Sequence, residues 1–508
     1  MSDFGQKAAR GMMWNFVGKF AFMILKYAES ILLVRLLGAG EYGVLGEMLN
    51  THALIVMFVG LGLGNALLKF LPEVREQKSN EREFLLRFIL LRTVFLVGAA
   101  IVVGVFGSWF AETFVHDPTR GVLFVAAGAL IVTTGLQNIL TRVLVSRYHQ
   151  KELNLIQAGI TAAYLALAAA VLVMGGGILE VMLANVATAA VGCVVFGRQV
   201  WNRTPRMPDA PRYATVWSRV AKYSASLYAY DLLNLVLANR LDILLIGLLH
   251  KDMHEVTAYI LAYNFATNSL SLFTKVFAEG FTLSTVADVY AKGDMPRVRR
   301  VFSAVTEYTY LFVTPIAVGG AVLMGDLFRL MYGEAGEGAI APAVYFLLVM
   351  GLGKYQGVTA NFLGAMDKER ALITSRAIFG VLNVVLNLLW IPKYGALGAC
   401  WATCVATVVG VVFEAIILHR VLRPDYPMAF WAKVGGVSLV MGAAVWGVIQ
   451  ALPPIEAIRV VVGLIVGAGV YAVGVIVTKP VSPNLADLVA SLKAPGAKTV
   501  ARLLGAKG

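Results

Sequence analysis

Charge is scarce in this chain. Asp, Glu, Lys and Arg make up 14% of its 508 residues, and hydrophobic residues make up 59%. A soluble domain carries roughly one quarter charged residues, so the composition excludes an ordinary soluble globular class and points to the bilayer. Strand-like alternation with a period of two is missing, which excludes an outer-membrane barrel. Cysteine is rare: Cys193, Cys400 and Cys404 all fall in apolar stretches, so no disulfide framework is implied. Cys400 and Cys404 share a helix face, but no His or acid stands beside them, and packing is the better reading. No Walker loop, no His/acid cluster with metal spacing and no Ser/His/Asp set is present. Neither an enzyme nor a cofactor is expected.

What is there is a succession of apolar stretches, each about 20 residues long and sufficient to span. About fourteen spans are expected, roughly 12–37, 42–68, 86–108, 121–146, 153–174, 178–198, 217–249, 255–287, 300–324, 341–365, 371–391, 396–419, 430–451 and 457–478. Spans seven and eight exceed what a bilayer needs, so they are expected to tilt or protrude. The first span follows Lys7 and Arg10 and lacks a small-residue cleavage site, so it reads as retained rather than as a signal peptide.

Lys and Arg gather in one set of loops: 69–87, 142–151, 198–222, 292–300, 368–376, 420–433 and the tail from Lys479. The alternate loops hold little beyond Arg120, Lys251, Arg329, Lys393 and Arg459. By the positive-inside rule both termini lie in the cytoplasm. The same asymmetry accounts for most of the net charge of +13, so no nucleic-acid partner is needed.

The chain also repeats itself at half length. Ile31-Leu-Leu-Val-Arg-Leu-Leu-Gly38 returns as Ile243-Leu-Leu-Ile-Gly-Leu-Leu-His250. Residues 136–153 match 355–372, and 174–188 match 393–407 at the same offset. The expected organisation is all-α and polytopic: an N-lobe of six spans (1–200), a Pro-containing cytoplasmic linker (201–216), a C-lobe of six spans (217–422), two further spans (423–480) and a cytoplasmic tail (481–508). Duplicated bundles of this kind place their substrate at the pseudo-symmetric centre.

Ionisable residues within spans are expensive and mark candidate sites. The first span carries Lys26 and, one turn on, Glu29; either they line a cavity or they form a pair that neutralises itself. The seventh carries Asp231, Asn234, Arg240 and Asp242, with an ion pair to a neighbouring helix as the structural alternative for the last two. The eighth has a continuous polar stripe, Asn264, Asn268, Ser271, Lys275, Glu279 and Thr282, which lipid would not tolerate. Here too an intrahelical Lys275–Glu279 pair is the alternative. Aligning Tyr42 with Tyr259 places Glu47 on Asn264 and Thr51 on Asn268, a shorter version of the stripe. Lys354 is central in the tenth span beside Tyr355 and Gln356. His52, alone in the second span, reads as a packing residue. The candidate substrate-binding set is Lys26, Glu29, Asp231, Arg240, Asn264, Asn268, Lys275, Glu279 and Lys354. A net positive cavity would attract a pyrophosphate, and a net negative one an organic cation.

Three segments carry a family resemblance: Asn383-Val-Val-Leu-Asn-Leu-Leu-Trp-Ile-Pro-Lys-Tyr-Gly-Ala-Leu-Gly-Ala-Cys-Trp-Ala-Thr403, Arg35-Leu-Leu-Gly-Ala-Gly-Glu-Tyr-Gly43, and Asp242-Ile-Leu-Leu-Ile-Gly247 followed by Ala258-Tyr259. They resemble polysaccharide flippases of the multidrug/oligosaccharidyl-lipid/polysaccharide exporter superfamily. The resemblance implies two six-helix lobes in a V plus two C-terminal helices. It implies alternating-access transfer of undecaprenyl-pyrophosphate-linked oligosaccharide across a bacterial inner membrane, for O-antigen, capsule or exopolysaccharide synthesis. An ion gradient (H+ or Na+) or the membrane potential would drive it, and polymerase or chain-length proteins would be partners. By location, Lys26 and Lys275 would serve the pyrophosphate. A multidrug or organic-cation antiporter of the same superfamily is the alternative, and a membrane glycosyltransferase or ligase a remote one, since no loop exceeds roughly 25 residues and such enzymes present larger ones.

Overall fold

The computed structural model describes residues 3–147, 149–205, 217–236, 239–277, 283–482 and Leu485. Among them the regular elements are helices: α1 (Asp3–Leu37), α2 (Ala39–Phe58), α3 (Leu63–Glu76), α4 (Glu81–Val105), α5 (Gly107–Val115), α6 (Gly121–Val145), α7 (Gln150–Val173), α8 (Ile178–Arg203), α9 (Trp217–Val236), α10 (Asn239–His250), α11 (Met253–Phe277), α12 (Leu283–Ala291), α13 (Met295–Tyr332), α14 (Glu337–Ala365), α15 (Glu369–Leu422), α16 (Met428–Ala451) and α17 (Glu456–Thr478). Two short 3₁₀ turns precede α6 and α14.

Among the described residues, eight helical segments are long and apolar enough to cross a membrane, and nine if the bent pair α2–α3 counts as one span. One of the eight, Met295–Ala365, covers both α13 and α14. Large apolar side chains such as Leu90, Val105, Val173, Leu389, Ile465 and Val477 stand exposed along these helices. Water would penalise that surface and hydrocarbon would not. The chain is an all-α, multi-pass membrane protein.

Sequence chemistry sets the helix ends. The Asn80 side chain accepts the Glu83 amide at 3.2 Å ahead of α4. Asp294 accepts the Arg297 amide at 3.0 Å ahead of α13. Within α15, Pro392 is followed by Gly395 at φ +53°, which divides the helix into arms 369–394 and 396–422. A Cβ at Gly398 would lie 2.5 Å from the Trp390 carbonyl oxygen, so the two arms close tightly there. Glycine, proline and glycine at these positions are what the 383–403 signature encodes.

Contacts divide the chain into two compact units, Met1–Thr257 and Ala258–Gly508. The division falls later than the lobe boundary at 217 read from the sequence. The packing accounts for it: α9 lies on α3, and α10 on α2 and α5.

In the first unit α6 is central, packed by α4, α8, α5, α2 and α3, while α1 lies on α7. One apolar cluster gathers Leu45, Met48, Phe124, Leu130 and Ile131, and a second gathers Phe70, Phe84, Phe88, Phe196 and Val200. Glu81 is buried where Arg75 (3.2 Å) and Arg147 (2.6 Å) meet it, tying α3, α4 and the turn after α6 together. In the second unit α14 takes the place of α6, packed by α13 and α15. There α16 and α17 lie against α13, closely enough that a Cβ at Gly463 would meet Leu323 at 2.6 Å and one at Gly442 would meet Val318 at 2.8 Å.

The half-length repeat reappears as packing. The Gln137 amide donates to the Ala189 carbonyl at 2.5 Å, and a Cβ at Gly192 would meet its nitrogen at 2.2 Å. In the second unit a Cβ at Gly410 would meet the Gln356 nitrogen, also at 2.2 Å. Each unit thus seats a glutamine of its central helix on a glycine of the helix that follows two spans later.

The second span is broken rather than straight. Helices α2 and α3 meet at 46°. The break spans Leu61 (φ +48°) and Gly62 (φ +69°), and a Cβ at Gly62 would sit 2.3 Å from the Ser224 carbonyl oxygen of α9. Arg92, buried on α4, donates to the Val56 carbonyl at 3.0 Å and to that of Val59. It satisfies carbonyls that the interrupted helix leaves without intrahelical donors.

Two consequences are measurable as thermal unfolding of the detergent-solubilised protein. Gly62→Ala should cost about 1–3 kcal/mol, because it adds left-handed strain and a backbone clash. Gly98→Ala, where a Cβ meets nothing within 4 Å, should be neutral or slightly stabilising. Arg92→Ala should cost about 1.5–3 kcal/mol by withdrawing a charged donor from two partly buried carbonyls.

Candidate substrate-binding residues

Each unit places its polar residues differently. In the first, Lys26 of α1 donates to Glu29 at 2.6 Å; its side chain is 46% exposed and that of Glu29 13%. One turn of helix brings the two together, so the ammonium stays accessible while its charge is largely compensated. Arg240 opens α10 and is exposed. Its carbonyl accepts from Asn50 Nδ2 at 2.8 Å, tying α2 to α10 through the backbone. Asp242, two residues on, is buried. Asp231 lies in α9; its side chain, with that of Asn234, falls outside the described residues.

The shorter stripe on α2 is buried. Glu47 is 0% exposed, and Asn50 and Thr51 are both nearly so. Neither Glu47 carboxyl oxygen has a hydrogen-bond partner among the described residues. Gly247 of α10 makes room for it: a Cβ there would lie 3.1 Å from the Glu47 carboxyl carbon and 3.2 Å from the Phe114 carbonyl oxygen. The Gly247 carbonyl accepts from, or faces, His116 Nε2 at 2.7 Å. Glu47 was visible in the sequence only as the counterpart of Asn264; its depth of burial was not. His52 Nε2 meets Thr134 Oγ1 at 2.8 Å, which holds α2 on α6 as a packing histidine does.

In the second unit the stripe of α11 is graded. Asn264 is exposed, Asn268 is half-buried and Ser271 is buried. Lys354 of α14 reaches across to it, donating from Nζ to Ser271 Oγ at 2.8 Å. The tenth-span lysine and the eighth-span stripe are therefore one feature, a link that no sequence spacing announced. Lys275 lies in α11, its side chain outside the described residues, and Glu279 lies outside them altogether.

Three other polar residues have structural partners. Glu414, buried on α15, accepts from Thr359 at 2.5 Å and Ser375 at 3.2 Å, joining that helix's two arms to α14. Asn383 bonds to Asn387 at 3.0 Å and to Thr403 at 3.1 Å, so the signature asparagines brace the arms against each other. Glu307 accepts the Ser482 amide at 3.0 Å and fixes the chain after α17. Cys400 and Cys404 turn their sulfurs toward the Pro342 and Tyr345 carbonyls of α14, as packing residues.

Exposed cations and amides thus stand on helices otherwise built for lipid. Comparison with known proteins gives the family of the chain. The family model described as "Polysaccharide biosynthesis protein" matches residues 32–340. An uncharacterised membrane protein of Methanocaldococcus jannaschii is 21% identical over 85% of this chain and 88% of its own. A probable low-salt glycan biosynthesis flippase of Haloferax volcanii is 24% identical over 47% of this chain and 50% of its own. Among solved structures, the lipid II flippase MurJ in an inward closed conformation superposes with a TM-score of 0.75 at 14% identity, over 92% of this chain and 98% of that one. A Vibrio cholerae multidrug-and-toxin-extrusion transporter reaches a TM-score of 0.57 at 14% identity, over 83% of this chain and 98% of that one. With a family model matched over more than half its length, the chain belongs to the polysaccharide biosynthesis protein family, built on the fold of the multidrug/oligosaccharidyl-lipid/polysaccharide exporters.

Proposed function

We propose that this protein is a flippase that carries lipid-linked oligosaccharide from the cytoplasmic to the outer leaflet by alternating access. The observation that carries the reading is Lys354 standing on the α11 stripe through Ser271, within a chain of the polysaccharide biosynthesis family. An ionisable residue in a span is a functional candidate, and a lysine there offers an ammonium to an anionic group. A polyprenyl pyrophosphate supplies the anion, and the exposed Asn264 and half-buried Asn268 supply the amides that sugar hydroxyls need.

The finer reading is that the carrier is undecaprenyl pyrophosphate, the membrane is a bacterial cytoplasmic membrane and both termini are cytoplasmic. The loop basicity supports that orientation. The curated relatives named as flippases are archaeal, so another polyprenyl carrier with the same phosphate chemistry is the nearest variant. A proton or sodium gradient or the membrane potential provides the drive, and no step of bond-making is assigned to the chain. Lys26, Glu29, Asp231, Arg240, Lys275 and Glu279 remain members of the proposed substrate path. The pairing of Glu29 with Lys26 disfavours an acid-dominated, organic-cation site on α1.

Deletion of the gene in its host should leave lipid-linked repeat units on the cytoplasmic side and remove the surface glycan. Complementation with Lys354→Ala should restore transport at least about 10-fold less well than wild type, the equivalent of one lost charged contact. Lys354→Arg should retain much of it. Normal surface glycan in a clean deletion would refute the flippase reading. Full activity of Lys354→Ala would remove Lys354 from the site.

A further inference from the structure

A second cationic site lies in the first unit, where α9 crosses α3. Lys69, Phe70, Arg219, Lys222, Tyr223 and neighbouring serines enclose a groove of about 430 Å3. Its floor is aromatic and fixed. Phe70 is fully buried and meets Tyr223 edge-on, with ring centroids 5.8 Å apart. Both rings belong to the apolar cluster that also holds Val74 and Val220.

Three cations line this floor, and they are not equivalent. Arg219 is clamped: both terminal nitrogens donate to Glu73 at 3.0 Å, and the guanidinium lies 5.2 Å over Phe70. Lys69 rests 3.9 Å from the centre of the Tyr223 ring. Neither Lys69 nor Lys222 has a carboxylate partner among the described residues, and both are exposed. Among the described residues, three cations against the Glu73 carboxylate leave the groove with an excess of positive charge. Ser218 and Arg219 stand in the first turn of a 20-residue helix, whose N-terminal dipole also favours an anion. Two lysines lining one groove with an aromatic floor suit a ligand with paired negative charge and an apolar stem.

We propose that the α3–α9 groove docks the phosphate or diphosphate headgroup of a membrane lipid. The groove lies on the basic-loop side of the chain, between the 69–87 and 198–222 runs, so the lipid would be met at the leaflet read as cytoplasmic. Naming that lipid as the transported carrier rests on the flippase reading; the phosphate site itself does not.

The test uses the purified full chain and three probes: geranylgeranyl pyrophosphate, inorganic pyrophosphate, and nanodiscs containing phosphatidylglycerol. At low salt, the double substitution Lys69→Gln/Lys222→Gln should weaken geranylgeranyl pyrophosphate binding roughly 30-fold, and rising salt should shrink the difference. Lys69→Arg/Lys222→Arg should stay within about 3-fold of wild type. Equal loss toward phosphatidylglycerol would identify the source as any anionic phospholipid and support the site. Loss confined to inorganic pyrophosphate would overturn the lipid assignment, and unchanged binding of all three probes would overturn the site. Unchanged binding in a chain that transports normally counts against the groove alone. Lost phosphate binding together with normal transport supports the groove and separates it from the translocation step. Absence of transport with intact, lysine-dependent binding counts against the flippase reading alone.

Discussion

A charge or an unpaired polar group surrounded by hydrocarbon must find a partner, a ligand or water, and this constraint organises the whole chain. Its effects are seen in how each exception to apolarity is handled. Lys26 takes Glu29 one turn away. Arg92 is spent on the carbonyls that the break in the second span releases. Glu414 gathers two hydroxyls and so pins α15 to α14. Glu81 receives two arginines at the end of three helices. Among the described residues, other polar groups stand exposed, such as Asn264 of α11 and the lysines of the α3–α9 groove.

Small residues decide where helices come close enough for such partnerships. Gly247 lets the Glu47 carboxyl lie against α10. Gly192 and Gly410 seat the paired glutamines of the two units. Gly62 admits the backbone of α9 to the break in the second span. Without a hydrophobic driving force inside lipid, close backbone approach and a few hydrogen bonds carry helix association. The repeat is preserved in this framework of glycine and glutamine rather than in the charged residues. Lys354 falls opposite Gly135 in the repeat alignment, so the second unit carries a cation where the first carries packing space.

Much of the fold was legible in the sequence for a physical reason. Apolar runs of bilayer length have few alternatives to helices, and the Pro392–Gly395 turn has the residues that its geometry requires. The repeat was legible because it preserves packing positions. What was not legible was tertiary. No spacing shows that Lys354 meets Ser271, or that Arg92 caps a helix belonging to another span. The contact boundary at Thr257 reflects α9 and α10 lying on α3, α2 and α5, which a count of spans does not reveal. The α3–α9 groove joins residues from two distant basic loops, each of which reads in isolation as ordinary positive-inside signalling. The family was legible through the segments 35–43 and 242–259, which lie within the family match over residues 32–340.

The central claim is that polar residues on lipid-facing helices serve to move a phosphate-linked glycan across the bilayer. The most direct measurement is translocation by the purified chain in proteoliposomes loaded with a fluorescent polyprenyl-pyrophosphate oligosaccharide, read as the fraction that becomes accessible to an external glycosidase. The account predicts that accessibility rises with protein present and falls toward the protein-free level with Lys354→Ala. Accessibility that stays at the protein-free level under an imposed proton gradient, sodium gradient and membrane potential, with the protein shown to be folded, would contradict it.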